Sequence, residues 1–178
     1  MSKTDLSDES LAAPARFADL YQRHVRRIYR YIYVRVNSVQ DAEDLTAQTF
    51  MAAFVGIRAY RGEGSIAAWL TIIARNCVVT HYRTRRPQDT LDLAEDVSAP
   101  SHSVEELVGL RLTLAEVRRA LDTLTAEQAE VVRLRIFGEL TTAEAAQVMN
   151  RSEAAVKMLL HRALRDLRQT LRAYEEQP

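Results

Sequence analysis

The sequence predicts an all-α protein of two small helical domains joined by a flexible acidic linker. Three observations predict it. Apolar residues recur at helical spacing through most of the chain. Five Gly and four Pro in 178 residues are too few for a turn-rich all-β fold. Residues 88–104 are acidic, contain Pro100 and several serines and show no periodicity, so they read as linker. The expected boundaries are a disordered N-terminus at 1–13, a first domain at 14–87, the linker, a second domain at 105–174 and a tail at 175–178.

The elements follow in order. Phe17, Leu20, Tyr21, Val25, Ile28 and Ile32 form one helical stripe, and Phe50, Phe54 and Ile57 another. Residues 59–65 carry Gly62 and Gly64 and read as a loop. Trp69, Leu70, Ile72, Ile73 and Val78 belong to a third helix, which ends near Arg83, Arg85 and Arg86 with Pro87 as a stop. Trp69 sits in an apolar run and reads as core. Ser103 with Glu106 reads as a capping box opening a further helix.

In the second domain, Thr125 with Gln128 caps a helix whose apolar face includes Val131, Val132, Leu134 and Ile136, and Gly138 ends it. Thr141 with Glu144 caps a short helix through Met149. Asn150 supplies a turn residue tolerant of positive φ. Ser152 caps the last helix, with Val156, Leu159, Leu160, Ala163, Leu164 and Leu167 along its buried stripe. A short helix, a tight turn and an amphipathic basic helix make a helix-turn-helix. Lys157, His161, Arg162 and Arg165 avoid the buried stripe, so such a helix can lie in a major groove.

A formal net charge of zero hides segments of opposite sign. Arg23 to Arg35 holds five Arg and no acid, and Arg151 to Arg172 is net basic. Residues 87–110 hold six acids and no Lys or Arg. Arg supports bidentate contacts to phosphate and guanine. Against this background Asp41-Ala-Glu-Asp-Leu-Thr-Ala-Gln-Thr-Phe50 stands out. Asp41, Asp44 and Gln48 share one helix face, while Ala42, Leu45 and Thr49 make a second face that packs inward. A short acidic face flanked by Arg-rich helices points to a protein partner. No run approaches the ~18 apolar residues of a membrane helix. One Cys fits a reducing compartment, and the expected location is the cytoplasm. Cys77 and His81 at i, i+4 make only half a metal site. No nucleophile–base pair or phosphate-cradling loop stands out, so neither an enzyme nor a cofactor is expected.

Together these segments resemble the short sigma factors of bacterial RNA polymerase, the extracytoplasmic-function (ECF) group of the sigma-70 family, over about residues 14–174. Residues 41–50 look like that family's region 2.2. Residues 60–76, Y-R-G-E-G-S-I-A-A-W-L-T-I-I-A-R-N, look like regions 2.3 to 2.4. Residues 124–135 with 155–164 look like region 4.

The resemblance implies a factor that directs core RNA polymerase to promoters. Asp41, Asp44 and Gln48 would dock on the β′ clamp helices, the β subunit being a further contact. Arg58, Tyr60, Arg61, Gly62, Arg75 and Asn76 would hold the melted −10 strand. Lys157, Met158, His161, Arg162 and Arg165 would read −35 duplex. Partners would be core polymerase, promoter DNA and an anti-sigma factor, with no membrane insertion. The 17-residue linker reaches roughly 56–61 Å, enough to span about 17 base pairs.

The chain departs from the family pattern in several places. Ile66 stands where Phe is common and Ile72 where a basic residue is common. Ala154-Ala155 replace Gly-Thr, and Met158-Leu159 replace Ser-Arg. Leu159 removes a phosphate contact worth about one unit of salt slope, and −35 binding weaker or less selective than usual is expected. A transcriptional regulator sharing only the C-terminal motif would leave 41–50 and 60–76 unexplained. An adaptor or anti-sigma module would leave the basic helix unexplained.

Overall fold

In the computed structural model, residues 14–60, 62, 64–84 and 117–175 are described, and every regular element among them is helical. Helix α1 spans Pro14–Val36, α2 Val39–Gly56 and α3 Ile66–Thr84. After a helical segment at 117–122, α4 runs Ala126–Val132, α5 Thr142–Met149 and α6 Glu153–Glu175. The expected linker at 88–104, the Ser103–Glu106 capping box, Arg61 and the Arg85–Pro87 stop lie outside the described residues.

Helices α1, α2 and α3 enclose the first core. Asn37 (φ 55) breaks α1, and the Ser38 hydroxyl accepts from the Asp41 amide to start α2. Leu20, Ile28 and Ile32 of α1 are buried with Ala42, Leu45, Phe50 and Ala53 of α2 and Ala67, Ala68, Leu70, Ala74 and Val78 of α3. The buried alanines leave room for close helix approach, and large residues such as Ile28 contribute roughly 1.5–3 kcal/mol each. Thr46, Thr49 and Thr71 are buried too. Their hydroxyls donate to the carbonyls of Ala42, Leu45 and Ala67, so each of the three is paired within the core.

Two members of the expected stripes sit at the edge of the core. Tyr21 and Phe54 are half exposed, yet pack edge-on against Phe50 and Phe17 at 4.8 and 5.0 Å between ring centroids. Trp69 is half buried against the core, as expected.

Both capping boxes of the second domain form. The Gln128 amide donates to Thr125 Oγ1, and the Thr125 amide donates back to Gln128 Oε1. The Glu144 amide and Thr141 make the same reciprocal pair. Asn150 takes φ 52, and the Ser152 hydroxyl accepts from the Ala155 amide.

One expectation fails here. Ile136 is exposed, not part of the apolar face. The helix widens to a π turn over Arg133–Phe137, with the Gly138 amide reaching back to the Arg133 carbonyl. Leu134 stays buried and Ile136 swings out. Gly138 is required at that turn, because a Cβ there would lie 2.9 Å from the Leu134 carbonyl oxygen.

Several polar contacts cross between the two domains. Tyr31 and Arg35 of α1 meet Glu130 of α4, with Tyr31 Oη donating to Glu130 Oε1 at 3.0 Å and Arg35 paired to its other oxygen. Arg30 pairs with Glu139. Across from α3, the Ser65 hydroxyl donates to Glu144 of α5, and Arg75 donates to the Val148 carbonyl at 3.3 Å.

Candidate functional site

Three surfaces carry the sequence-predicted residues. On α2, the Ser38 cap fixes the helix start and buried Ala42, Leu45 and Thr49 fix its rotation. Asp44 and Gln48 are exposed as expected. Asp41 is placed differently. Its side chain is 18% exposed and turns to His81 of α3, 3.8 Å from Nε2. The outer stripe instead continues past Gln48 to Met51 (69% exposed) and Val55 (81%). Positions 44, 48, 51 and 55 follow helical spacing, so the stripe was findable from the sequence. Exposed apolar residues thus lie beside an acid and an amide on this face.

The second surface is the loop before α3. Gly62 and Gly64 take φ +69 and +88, a left-handed backbone favouring glycine. Tyr60 Oη donates to the Gly64 carbonyl at 3.0 Å, and its ring lies 5.1 Å from that of Trp69. Burial raises the Tyr60 pKa, so the hydroxyl stays protonated as a donor. The Ser65 hydroxyl accepts from the Ala67 amide and starts α3, a cap missed in the sequence. Arg58, Arg75 and Asn76 are exposed, while Arg61 lies outside the described residues. Ile66 and Ile72 are half buried and packed on the core, which explains their apolar character. This surface is not open. Gln147 of α5 accepts from the Ser65 amide, and its side chain lies where a Cβ on Gly64 would stand.

The third surface is α6. Lys157, Met158, His161, Arg162 and Arg165 are all exposed on the side opposite buried Val156 and Ala163. Gln128 donates to Asp166 at 2.7 Å and ties α6 to α4. Leu159, replacing the family's Arg, is half buried against the core. Met158 is 56% exposed and presents an apolar tip without a donor. Cys77 is half buried and His81 is engaged with Asp41, and no group of three metal-ligating side chains occurs among the described residues.

The family model of sigma-70 region 2 matches residues 20–88, and that of sigma-70 region 4 matches residues 114–167. The chain is 39% identical over 163 residues to the ECF RNA polymerase sigma factor BldN of Streptomyces coelicolor, covering 87% of this chain but only 60% of that protein. It is 30% identical over 157 residues to the ECF RNA polymerase sigma factor SigM of Bacillus subtilis, covering 84% of this chain and 91% of that one. Among solved structures it is similar to CnrH in complex with the cytosolic domain of CnrY, with a TM-score of 0.67, 26% identity, and 93% and 95% of the two chains covered. The sigma factor RpoE of Bartonella quintana, solved with the anti-sigma factor NepR, shares the fold at a TM-score of 0.66 and 22% identity, over 88% of this chain and 96% of that one. The chain therefore belongs to the sigma-70 family, in its ECF group, and is a non-enzymatic sigma factor of promoter-directed transcription initiation.

Proposed function

We propose that the labour of initiation is divided among the three surfaces. The α2 stripe attaches the chain to core RNA polymerase. Asp44 supplies charge for an arginine on the β′ clamp helices, and Met51 and Val55 add apolar area beside Gln48. Asp41 supports the stripe from inside through His81. The loop at 59–66, with Arg58, Tyr60, Arg61, Gly62, Arg75 and Asn76, captures the melted −10 strand. Its glycines permit close backbone approach and its arginines hold phosphates. Helix α6 reads −35 duplex through Lys157, Met158, His161, Arg162 and Arg165.

The β subunit is a further polymerase contact. CnrH is solved in complex with the cytosolic domain of CnrY, and RpoE of Bartonella quintana with the anti-sigma factor NepR; an anti-sigma factor is a partner proposed here. No helix among the described residues is long and apolar enough to cross a membrane. The cytoplasm, where polymerase and promoter lie, is the proposed site of action.

The observation that carries this reading is the exposed stripe of Asp44, Gln48, Met51 and Val55, in the same chain as a capped helix-turn-helix with a basic outer face. Neutral net charge gives the free chain little attraction for DNA. A promoter fragment should be retained by the chain with core polymerase and not by the chain alone. Tight duplex binding without polymerase, unchanged by adding it, would favour a stand-alone regulator.

A further inference from the structure

We propose that helix α6 selects thymine in the −35 duplex by its 5-methyl group, which seats in an apolar cleft walled by Met158. The proposal rests on the reading of α6 as the −35 surface, and adds the chemical feature of the base that this surface selects.

The outward face of α6 changes chemistry along its length. Its first turn presents Ala154, Ala155 and Met158, all exposed. None of the three side chains donates a hydrogen bond, and the Met158 thioether accepts only weakly. Lys157 stands about 100° around the helix from Met158. His161, Arg162 and Arg165 follow, also exposed. In a helix-turn-helix the N-terminal residues of the second helix meet the base edges. A first turn without donors gains nothing from the acceptors of guanine or adenine. It gains from the one apolar feature of the major groove, the thymine methyl.

The surface beside Met158 is shaped to take that group. Ala155, Val156, Met158 and Leu159 line a cleft there. Val156 is buried and Leu159 half buried, so together they form its floor. Three charged residues, Glu127, Arg151 and Arg162, complete the lining. Arg151 pairs with Glu127 at 2.5 Å, so two of these charges cancel. Arg162 lies one turn beyond Met158 and is exposed, which places a positive charge beside the cleft for phosphate or guanine. Cytosine fits this site poorly. It has no methyl group, and the Glu127 carboxylate that could accept from its N4 amine is engaged by Arg151. Methyl reading thus sets which sequence is bound, while phosphate contacts set how tightly.

The test uses the full chain assembled with core polymerase and a dye-labelled promoter duplex selected from the native genome. The −35 segment is made with thymine or with deoxyuridine, which lacks only the methyl group. Removing one seated methyl should weaken binding about fourfold. In Met158→Ala the two duplexes should bind equally, because the shortened side chain no longer walls the cleft. Met158→Gln keeps the length and adds an amide, so it should shift the preference at that position to adenine. Met158 is 56% exposed, and neither change disturbs the core.

Equal binding of both duplexes by wild type, while Arg162→Ala still weakens binding, would overturn the methyl reading and leave the −35 reading standing. A fourfold preference that persists in Met158→Ala would overturn the cleft as the reader, since the methyl would then act through the stiffness of the duplex. A selected −35 segment without A·T pairs would also overturn the proposal. Equal binding with no effect of Arg162→Ala would overturn the −35 reading, and the proposal with it.

Discussion

His24 gives the fold a defined acid sensitivity. It lies on α1, 8% exposed, with its Nδ1 buried and unpartnered. Burial, with Arg27 and Arg23 nearby, lowers its pKa from 6.5 to about 4. The folded chain therefore holds this imidazole neutral where the unfolded chain would protonate it. The stability this provides is present in full above pH 6.5 and is lost as pH falls through about 4. Between pH 7 and pH 5 the linkage removes about 2 kcal/mol, working from those two pKa values. Replacing His24 with Leu should remove that part of the pH dependence. Urea unfolding of wild type and His24→Leu at both pH values measures it. Wild type should lose about 2 kcal/mol more than the variant over the interval. Equal losses would show that His24 is solvated in the folded chain, and the packing described around α1 would be wrong.

Four other outcomes are expected. Asp44→Arg with Gln48→Ala should abolish retention on immobilised core polymerase, while circular dichroism shows an unchanged fold. Arg162→Ala should weaken −35 duplex binding and lower its salt slope by about one unit. Conversely, Ala154→Gly, Ala155→Thr, Met158→Ser and Leu159→Arg together should raise both, since Arg at the half-buried Leu159 position can extend its head to a phosphate. Thr125→Ala should cost about 1 kcal/mol in unfolding, because it removes the acceptor for the Gln128 amide.

What the sequence revealed was mostly local. Thr125 with Gln128 and Thr141 with Glu144 declare their helices because each box closes within four residues. Asn150 announces its turn by tolerating positive φ. The faces of α2 and α6 follow from periodicity, and Asp44, Gln48 and the five α6 residues are exposed where spacing put them. Asp41 was not legible. Helical spacing groups it with Asp44, but His81, forty residues later in the chain, turns it inward. Ile136 was missed because one π turn shifts the phase of every later side chain. The contacts between the two domains were the least legible. Tyr31 and Glu130 are 99 residues apart, Arg30 and Glu139 are 109, and no pattern within either domain marks such pairs.

The central claim is that one chain attaches to polymerase through α2 and tells it where to start through residues 58–76 and α6. Run-off transcription from a promoter selected out of the native genome tests it most directly. Core polymerase with wild-type chain should give a transcript of defined start. With Asp44→Arg and Gln48→Ala, or with Arg75→Ala and Asn76→Ala, it should give little or none. A full transcript from the α2 double variant would contradict the docking role, and one from the Arg75 and Asn76 variant would contradict the strand-capture role.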